Sequence, residues 1–185
     1  MNSILENLKN ISFNGGGGKA HERLAEDAIK NAGYHSANFA SLANTYNVNK
    51  TDLLILLEDD ELSIEDGVYY YQPVGSQRSP DFIFKVDERV VFLECKSSTT
   101  KKPMWNSHII KDNYHYLMST KEGTLLLEGR DMMSKEVRKA LMDYAQEQKE
   151  LTKIFNENLL ASPDNTMGWR YYPRVAIDQG ISFWD

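Results

Sequence analysis

Residues 79–96 read SPDFIFKVDERVVFLECK and contain two apolar segments, residues 82–86 and 89–93. Both segments are rich in β-branched and aromatic residues, which predicts two short β-strands. Asp87 and Glu88 separate the segments, so we predict an antiparallel hairpin with a two-residue turn. The turn is the least typical part of this pattern, because two-residue hairpin turns favour Asn-Gly or Asp-Gly over Asp-Glu.

The predicted hairpin brings three charged side chains together. Its register sets Asp81 opposite Glu94, and directly opposed residues have Cβ atoms about 5 Å apart. Side chains alternate along a strand, so Lys96 lies on the face of Glu94, while Cys95 points to the other face. That other face is apolar throughout, which supports the register: it carries Phe82, Phe84, Val86, Val91, Leu93 and Cys95.

Two carboxylates and a lysine at one point predict metal-dependent chemistry. Adjacent carboxylates repel each other, and a divalent cation removes that repulsion. We expect Mg²⁺, which usually takes one or two carboxylates from a protein and keeps several waters, and Mn²⁺ can substitute for it. Lys96 would then orient an attacking water and stabilise charge that develops on a phosphate. The alternative is an exposed hairpin with ordinary surface charges.

The motif resembles that of a known enzyme family. Pro-Asp at residues 80–81 and Glu-Cys-Lys at residues 94–96 resemble the signature of the PD-(D/E)XK nucleases, which include most type II restriction endonucleases. Residues 18–25 resemble the first core helix of that family, and residues 96–107 resemble the loop that follows its motif. The similarity covers roughly residues 18–130.

This resemblance implies roles for individual residues. Asp81 and Glu94 would hold the metal with help from the backbone carbonyl of Cys95. Lys96 would position the water that attacks phosphorus, which leaves 5′-phosphate ends. The resemblance thus implies a type II site-specific deoxyribonuclease, a phosphodiester hydrolase.

Further carboxylates are candidates to complete the metal site. The family's first core helix often carries an acidic residue that points at the metals, and Glu22 matches that position better than Glu26. Some family members place another carboxylate before the Pro-Asp, which makes Asp60 a candidate. The sequence leaves open which of the three completes the site.

The resemblance implies an α/β fold with a restriction-endonuclease-like core, in which α-helices flank a mixed central β-sheet. The residues agree, because they predict further strands at residues 68–72, 113–118 and 124–128 and a helix over residues 19–32. A chain of 185 residues is long enough for one domain with a real core. We therefore predict a single nuclease domain over residues 1–185.

The charge of the chain limits how it meets DNA. Its formal net charge is −6, whereas most stand-alone DNA-binding proteins are basic. Polar and positive residues do gather after the motif and are candidates to contact double-stranded DNA: Lys101, Lys102, Asn106, His108 and Lys111. This distribution favours a cleavage module that another protein places on DNA.

Residues 39–60 resemble a helix-turn-helix in their pattern of small, turn and apolar residues. A recognition helix offers Arg, Lys, Asn or Gln to base edges, whereas the second predicted helix is apolar and ends in acidic residues 58–61. We therefore favour two small helices that pack on the core. A helix-turn-helix protein without enzymatic activity remains the alternative.

The longest predicted helix covers about residues 134–160, roughly 40 Å. Its stripe at three- and four-residue spacing consists of Val137, Leu141, Tyr144, Gln148, Leu151, Phe155 and Leu159. The helix could cover one face of the sheet or pack on another protein. The tail that follows is rich in aromatic residues and arginine, which is typical of interfaces, but it could also close the core or contact DNA.

The remaining features concern location. The single cysteine allows no internal disulfide, which suits a reducing cytoplasm. The N-terminal residues do not form a signal sequence, and the longest apolar run, residues 53–57, is too short to cross a bilayer. We expect a cytoplasmic protein that does not interact with membranes.

The chain most resembles the small cleavage subunit of a heterodimeric type IIS restriction endonuclease. That resemblance implies a larger subunit that reads the DNA site and nicks one strand, while the small subunit cuts the other. A complete small homodimeric restriction or repair nuclease is the second interpretation.

Overall fold

The computed structural model describes residues 3–12, 18–100, 102–103, 105–106 and 108–184. The elements in chain order are α1 (Ser3–Lys9), α2 (Gly18–Asn31), β1 (His35–Ser36), α3 (Phe39–Thr45), α4 (Lys50–Glu58), β2 (Val68–Tyr71), β3 (Phe82–Val86), β4 (Arg89–Ser97), β5 (Tyr114–Thr120), β6 (Gly123–Glu128), α5 (Gly129–Met132) and α6 (Lys135–Ala161). The strands form one sheet in the order β1-β2-β3-β4-β5-β6. β1 with β2 and β4 with β5 are parallel, and the other neighbours are antiparallel. The prediction of an α/β fold with a mixed sheet is confirmed.

The hairpin forms as predicted. β3 pairs with β4 in a register that sets Val86 opposite Arg89 beside the turn. Asp87 and Glu88 have φ angles of 46° and 64°, and a type I′ turn requires positive φ at both central residues. The Asp-Glu turn is thus compatible with the twist of the strands, although its residues are not the preferred ones.

Alternation along the strands divides the interior into two cores. The core beneath α1 and α2 contains, from the hairpin, Phe82, Phe84, Val86, Val91 and Leu93. The core beneath α3 and α4 contains Ile83 and Phe92 from the same strands. The predicted apolar face is therefore confirmed, and helices cover both sides of the sheet.

Most of the predicted helices are present. In α2, Ala25 and Ile29 are buried, and Gly33 follows the helix with a φ of 94° that glycine adopts without strain. α3 and α4 contribute Phe39 and Leu53 to the core, which confirms the packing that we favoured for this segment. The sequence did not predict α1, β1 or α5, which are among the shortest elements.

α6 matches the predicted long helix but does not pack as a cover for the sheet. The Ser134 hydroxyl accepts a hydrogen bond from the Val137 N–H and caps its start. Tyr144 is 62% exposed and Phe155 is 55% exposed. The interpretation of the predicted stripe as a sheet cover is therefore wrong, because its largest side chains face away from both cores.

Arg138 anchors the first turn of α6. This arginine is buried, and its guanidinium donates to the carbonyl oxygens of Ile110 (2.7 Å), Gly129 (3.0 Å) and Met133 (2.9 Å). It also forms an ion pair with Asp112. One side chain thus joins the helix to the loop before β5 and to the segment after β6.

Candidate active site

One cavity of about 260 Å³ collects side chains from five parts of the chain. They are α2, the loop between β2 and β3, the end of β4, the loop after β4 and the C-terminal tail. The lining residues are Glu22, Ser76, Gln77, Arg78, Asp81, Glu94, Cys95, Lys96, Asn106 and Arg174. The structure therefore brings the two motif carboxylates, the motif lysine and the carboxylate of α2 to one place.

Asp81 is held by the backbone of β4. Its N–H donates to the carbonyl oxygen of Leu93 (3.0 Å), and its Oδ2 accepts from the N–H of Cys95 (2.8 Å). Burial and, after it, the charge of Glu94 raise the pKa of Asp81 to about 8. At neutral pH most of this side chain is therefore protonated until a cation binds nearby.

Glu94 and Lys96 form a buried ion pair. Lys96 Nζ donates to Glu94 Oε1 at 2.7 Å, and their side chains are 13% and 5% exposed. Glu94 Oε2 is buried without a hydrogen-bond partner among the residues that the structure describes. A buried carboxylate oxygen in this position is an acceptor that a cation could take.

Glu22 is oriented toward the cavity by two donors from β2 and its end. The Tyr71 hydroxyl (2.7 Å) and Gln72 Nε2 (3.1 Å) both donate to Glu22 Oε2. Glu26, one turn further along α2, accepts from the Tyr69 hydroxyl (2.6 Å) and does not line the cavity. Of the alternatives that the sequence left open on this helix, Glu22 is the one near Asp81.

Asp60 lies apart from this cavity. It is exposed, it has a φ of 56°, and its N–H donates to the carbonyl oxygen of Leu57 in the turn that ends α4. The left-handed turn explains why its position before the motif in sequence does not bring it to the motif in space.

The donor set fits Mg²⁺ bound largely through water. Among the described residues, three or more His, Cys, Asp or Glu side chains do not gather closely enough to hold a metal. Mg²⁺ does not require such a cage, because it usually takes one or two carboxylates and keeps its waters. Asp81 and Glu94 supply such a pair, and the high pKa of Asp81 and the unpartnered Glu94 oxygen indicate that positive charge is missing between them.

The thiol of Cys95 is not expected to take part. It is packed against the core beneath α1 and α2, and burial raises its pKa well above the ordinary value. A thiol that stays protonated is a poor nucleophile and a poor ligand. The backbone of Cys95 still lines the site, where its N–H positions Asp81.

The predicted DNA-contacting residues have different environments. Asn106 lines the cavity, and Lys102 Nζ donates to the carbonyl oxygen of Gly180. Lys101 lies outside the described residues. Lys111 Nζ is paired with the Glu58 carboxylate at 2.7 Å, so its charge is already compensated.

His108 is an aromatic stacking residue here. Its ring lies 6.1 Å from that of Tyr116 with an interplanar angle of 22°. Burial lowers the pKa of His108 to about 4, so the ring is neutral at pH 7. It therefore does not supply the positive charge that its place after the motif suggested.

Two arginines that the motif did not indicate also line the cavity. Arg78 belongs to the loop before β3, and Arg174 belongs to the tail after α6. The density of arginine in the tail was the available signal. Its placement depends on tertiary contacts that no local pattern predicts.

A second cavity of about 770 Å³ lies between α6, residues 108–111 and residues 171–177 of the tail. Apolar residues are prominent in its wall, for example Ile110, Leu141 and Met142. Glu22, Asp81 and Glu94 do not line it. Arg174 lines both cavities.

Comparisons with protein-family models, with curated protein sequences and with solved structures found no match. The resemblance to PD-(D/E)XK nucleases therefore remains a prediction from the motif. Within the described part of the chain, no helix is both long enough and apolar enough to span a membrane.

Proposed function

We propose that the chain is a Mg²⁺-dependent endodeoxyribonuclease that hydrolyses one strand of double-stranded DNA. The observation that supports this proposal most strongly is the common cavity of Glu22, Asp81, Glu94 and Lys96. Their grouping combines residues from α2, the segment before β3 and the end of β4. Carboxylates beside a lysine are suited to hydrolysis of a phosphodiester at a divalent cation.

Each residue has a role that follows from its position. Asp81 and Glu94 would hold Mg²⁺, and Glu22 would bind its water ligands from the side of α2. When bound, Mg²⁺ supplies a polarised phosphoryl oxygen and a more acidic water. Lys96 would orient the attacking water, whose oxygen bonds to phosphorus while the bond to the 3′ oxygen breaks. The products are a 5′-phosphate and a 3′-hydroxyl.

We further propose that the chain acts as the small cleavage subunit of a heterodimeric type IIS restriction enzyme. The net charge of −6 gives little general affinity for DNA. The second helix, α4, is apolar and leads into acidic residues 58–61, which disfavours the non-enzymatic helix-turn-helix interpretation because phosphates repel acidic side chains. α6 and the tail carry exposed apolar side chains such as Leu151, Phe155 and Trp169, which suit a contact with the larger, DNA-recognising subunit.

Cleavage of a supercoiled plasmid tests both parts of this proposal. The purified chain is incubated with Mg²⁺, with and without the protein encoded by the neighbouring gene. We expect a linear product only when both proteins are present. Site-specific cleavage by the chain alone would instead support a complete homodimeric nuclease, and no cleavage under any of these conditions would contradict the nuclease assignment.

Glu94→Gln tests, in the same cleavage assay, whether the carboxylate cavity is the catalytic site. The substitution keeps the size of the side chain and removes its charge, so we expect second-strand cleavage to fall by about 10²-fold or more, since loss of residues that only support metal ligands already costs about 10–100-fold. Asp60→Asn is the matched control, since Asp60 does not line the cavity, and it should cleave at the normal rate. A Glu94→Gln variant as fast as this control would show that the site is misplaced.

A further inference from the structure

The candidate active site contains more positive charge than its motif supplies. Arg78 and Arg174 line the same cavity as Asp81 and Glu94, although residues 79–173 lie between the two arginines in the sequence. Arg78 follows a turn in which its N–H donates to the carbonyl oxygen of Gly75 (3.1 Å). Both arginines are exposed, so a ligand can reach them from solvent.

The C-terminal tail is fastened to the loop after β4, which places Arg174. The Ile177 N–H donates to the carbonyl oxygen of Trp105 (2.7 Å), and Trp105 Nε1 donates to Gln179 Oε1 (3.1 Å). Trp105 is buried. Arg174 Nη2 then donates to Gln77 Oε1 (2.7 Å) in the loop before β3. The tail thus crosses the site and joins two loops at its entrance.

Neither guanidinium is neutralised within the described residues. Arg174 donates to the amide oxygen of Gln77, and Arg78 Nη1 donates to Thr51 Oγ1 (3.3 Å). These acceptors are uncharged, and neither arginine forms an ion pair with a carboxylate in the described part of the chain. Lys111 and Arg138 provide the contrast, since both are paired with acidic residues.

We propose that Arg78 and Arg174 together bind a phosphate of the nucleic-acid backbone at the entrance of the carboxylate cavity. The cavity also holds Glu22, Asp81 and Glu94, and positive charge beside these carboxylates favours the approach of an anionic backbone. Arginine has five N–H donors in a planar group that matches phosphate oxygens, so each guanidinium can bind the phosphate while it keeps its present hydrogen bond. The inference deepens the proposed nuclease function and rests on it.

Side-chain NMR tests the contact directly. The ¹⁵N-labelled chain carrying Glu94→Gln is mixed with the unlabelled protein encoded by the neighbouring gene and titrated with a 12-base-pair DNA duplex in the presence of Ca²⁺, and arginine Nε–Hε signals are assigned with Arg→Lys variants. We expect the Arg78 and Arg174 signals to shift, whereas that of Arg170, which belongs to the same tail but does not line the cavity, stays unchanged. Equal shifts of Arg170 and Arg174, or no shift of Arg78 and Arg174, would overturn the inference.

Measurements of DNA affinity and of cleavage rate on two arginine variants distinguish a failure of this inference from a failure of the proposed function. Arg174→Ala should reduce the slope of log affinity against log salt concentration by about 1, as expected for one lost phosphate contact, and should slow cleavage. Arg170→Ala should change neither. If the wild-type protein cleaves DNA and Arg174→Ala behaves like Arg170→Ala, the inference fails while the nuclease function stands. If the NMR shifts occur but DNA is not cleaved by the chain, with or without the protein encoded by the neighbouring gene, the phosphate site stands and the nuclease function fails.

Discussion

The carboxylate cavity and α6 differ in which groups they place in an unfavourable environment: acidic groups in the cavity, and apolar groups on the helix. In the cavity, the half-buried Asp81 has its pKa raised to about 8, and a buried Glu94 oxygen has no hydrogen-bond partner among the described residues. On α6, apolar groups are exposed, with Leu151 61% and Phe155 55% accessible. Buried charge and exposed apolar surface both cost free energy. Each region therefore indicates what is missing from it, positive charge in the first and a protein surface in the second.

The two regions also depend differently on the sheet. Asp81 and Glu94 are placed by the pairing of β3 with β4, which fixes their positions through backbone hydrogen bonds. α6 is joined to the segments beside β5 and β6 through the buried Arg138 in its first turn, and to the tail through Asn156, whose side chain forms two hydrogen bonds with the backbone of Tyr171. This difference predicts which substitutions affect folding and which affect binding alone.

Removal of the α6 anchor should have the largest effect on stability. Arg138→Ala deletes three hydrogen bonds to carbonyl oxygens and leaves Asp112 without its ion pair. A hydrogen bond from a charged group contributes about 1.5–3 kcal/mol, whereas Asp112, whose side chain is 45% exposed, can be hydrated once the ion pair is lost. We expect the free energy of unfolding, measured by urea denaturation, to fall by at least this amount.

Lys139→Ala is the control for this prediction. Lys139 is the next residue of α6, its side chain is 75% exposed, and it pairs only with Asp143 on the same helix among its described contacts. The change in unfolding free energy should stay within about 0.5 kcal/mol. Similar losses for the two variants would mean that Arg138 does not anchor the helix, and the contrast between the two regions would weaken.

The sequence predicted the hairpin well because two independent patterns agree on it. Alternation of apolar residues fixes which face is buried, and a shift of one residue would turn that face to the other side. The same reasoning placed Asp81 beside Glu94. It did not place Asp60, because the left-handed turn after α4 redirects the chain.

Other parts of the site depend on tertiary contacts and could not be predicted. Arg174 reaches the cavity because the tail is fastened to Trp105. His108 was expected to contact DNA, yet burial leaves it neutral. The bounds of α6 followed from its periodicity, but periodicity shows only that one face is apolar and does not reveal what that face contacts.

Titration of Asp81 should produce a pH-dependent effect on stability. Its pKa is about 8 in the folded chain against an ordinary value of 3.8, so the folded state binds more protons than the unfolded state between these values. The free energy of unfolding should therefore fall as pH rises from about 4 to about 8. Asp81→Asn removes the ionisation and should become more stable than the wild type as pH rises through this range.

Urea denaturation at pH 5, 7 and 8.5 measures this difference. Asp60→Asn, at an exposed position that does not line the cavity, is the control. Mg²⁺ should raise the stability of the wild type more at pH 8.5 than at pH 6, because deprotonated Asp81 binds the cation. Parallel pH profiles for the wild type and Asp81→Asn would show that the pKa of Asp81 is not raised in the folded chain.

The smallest expected effect on stability belongs to the exposed face of α6. Leu151→Ser and Phe155→Ala alter side chains that are more than half accessible, so the free energy of unfolding should change by less than about 0.5 kcal/mol. If this face contacts the larger subunit, the same substitutions should weaken that complex by more than about 10-fold. Isothermal titration calorimetry with the neighbouring gene product measures the affinity, and Glu157→Ala, a charge on the same helix, is the control. A loss of stability without a loss of affinity would mean that Leu151 and Phe155 stabilise the fold. The exposed face of α6 would then not be a binding surface.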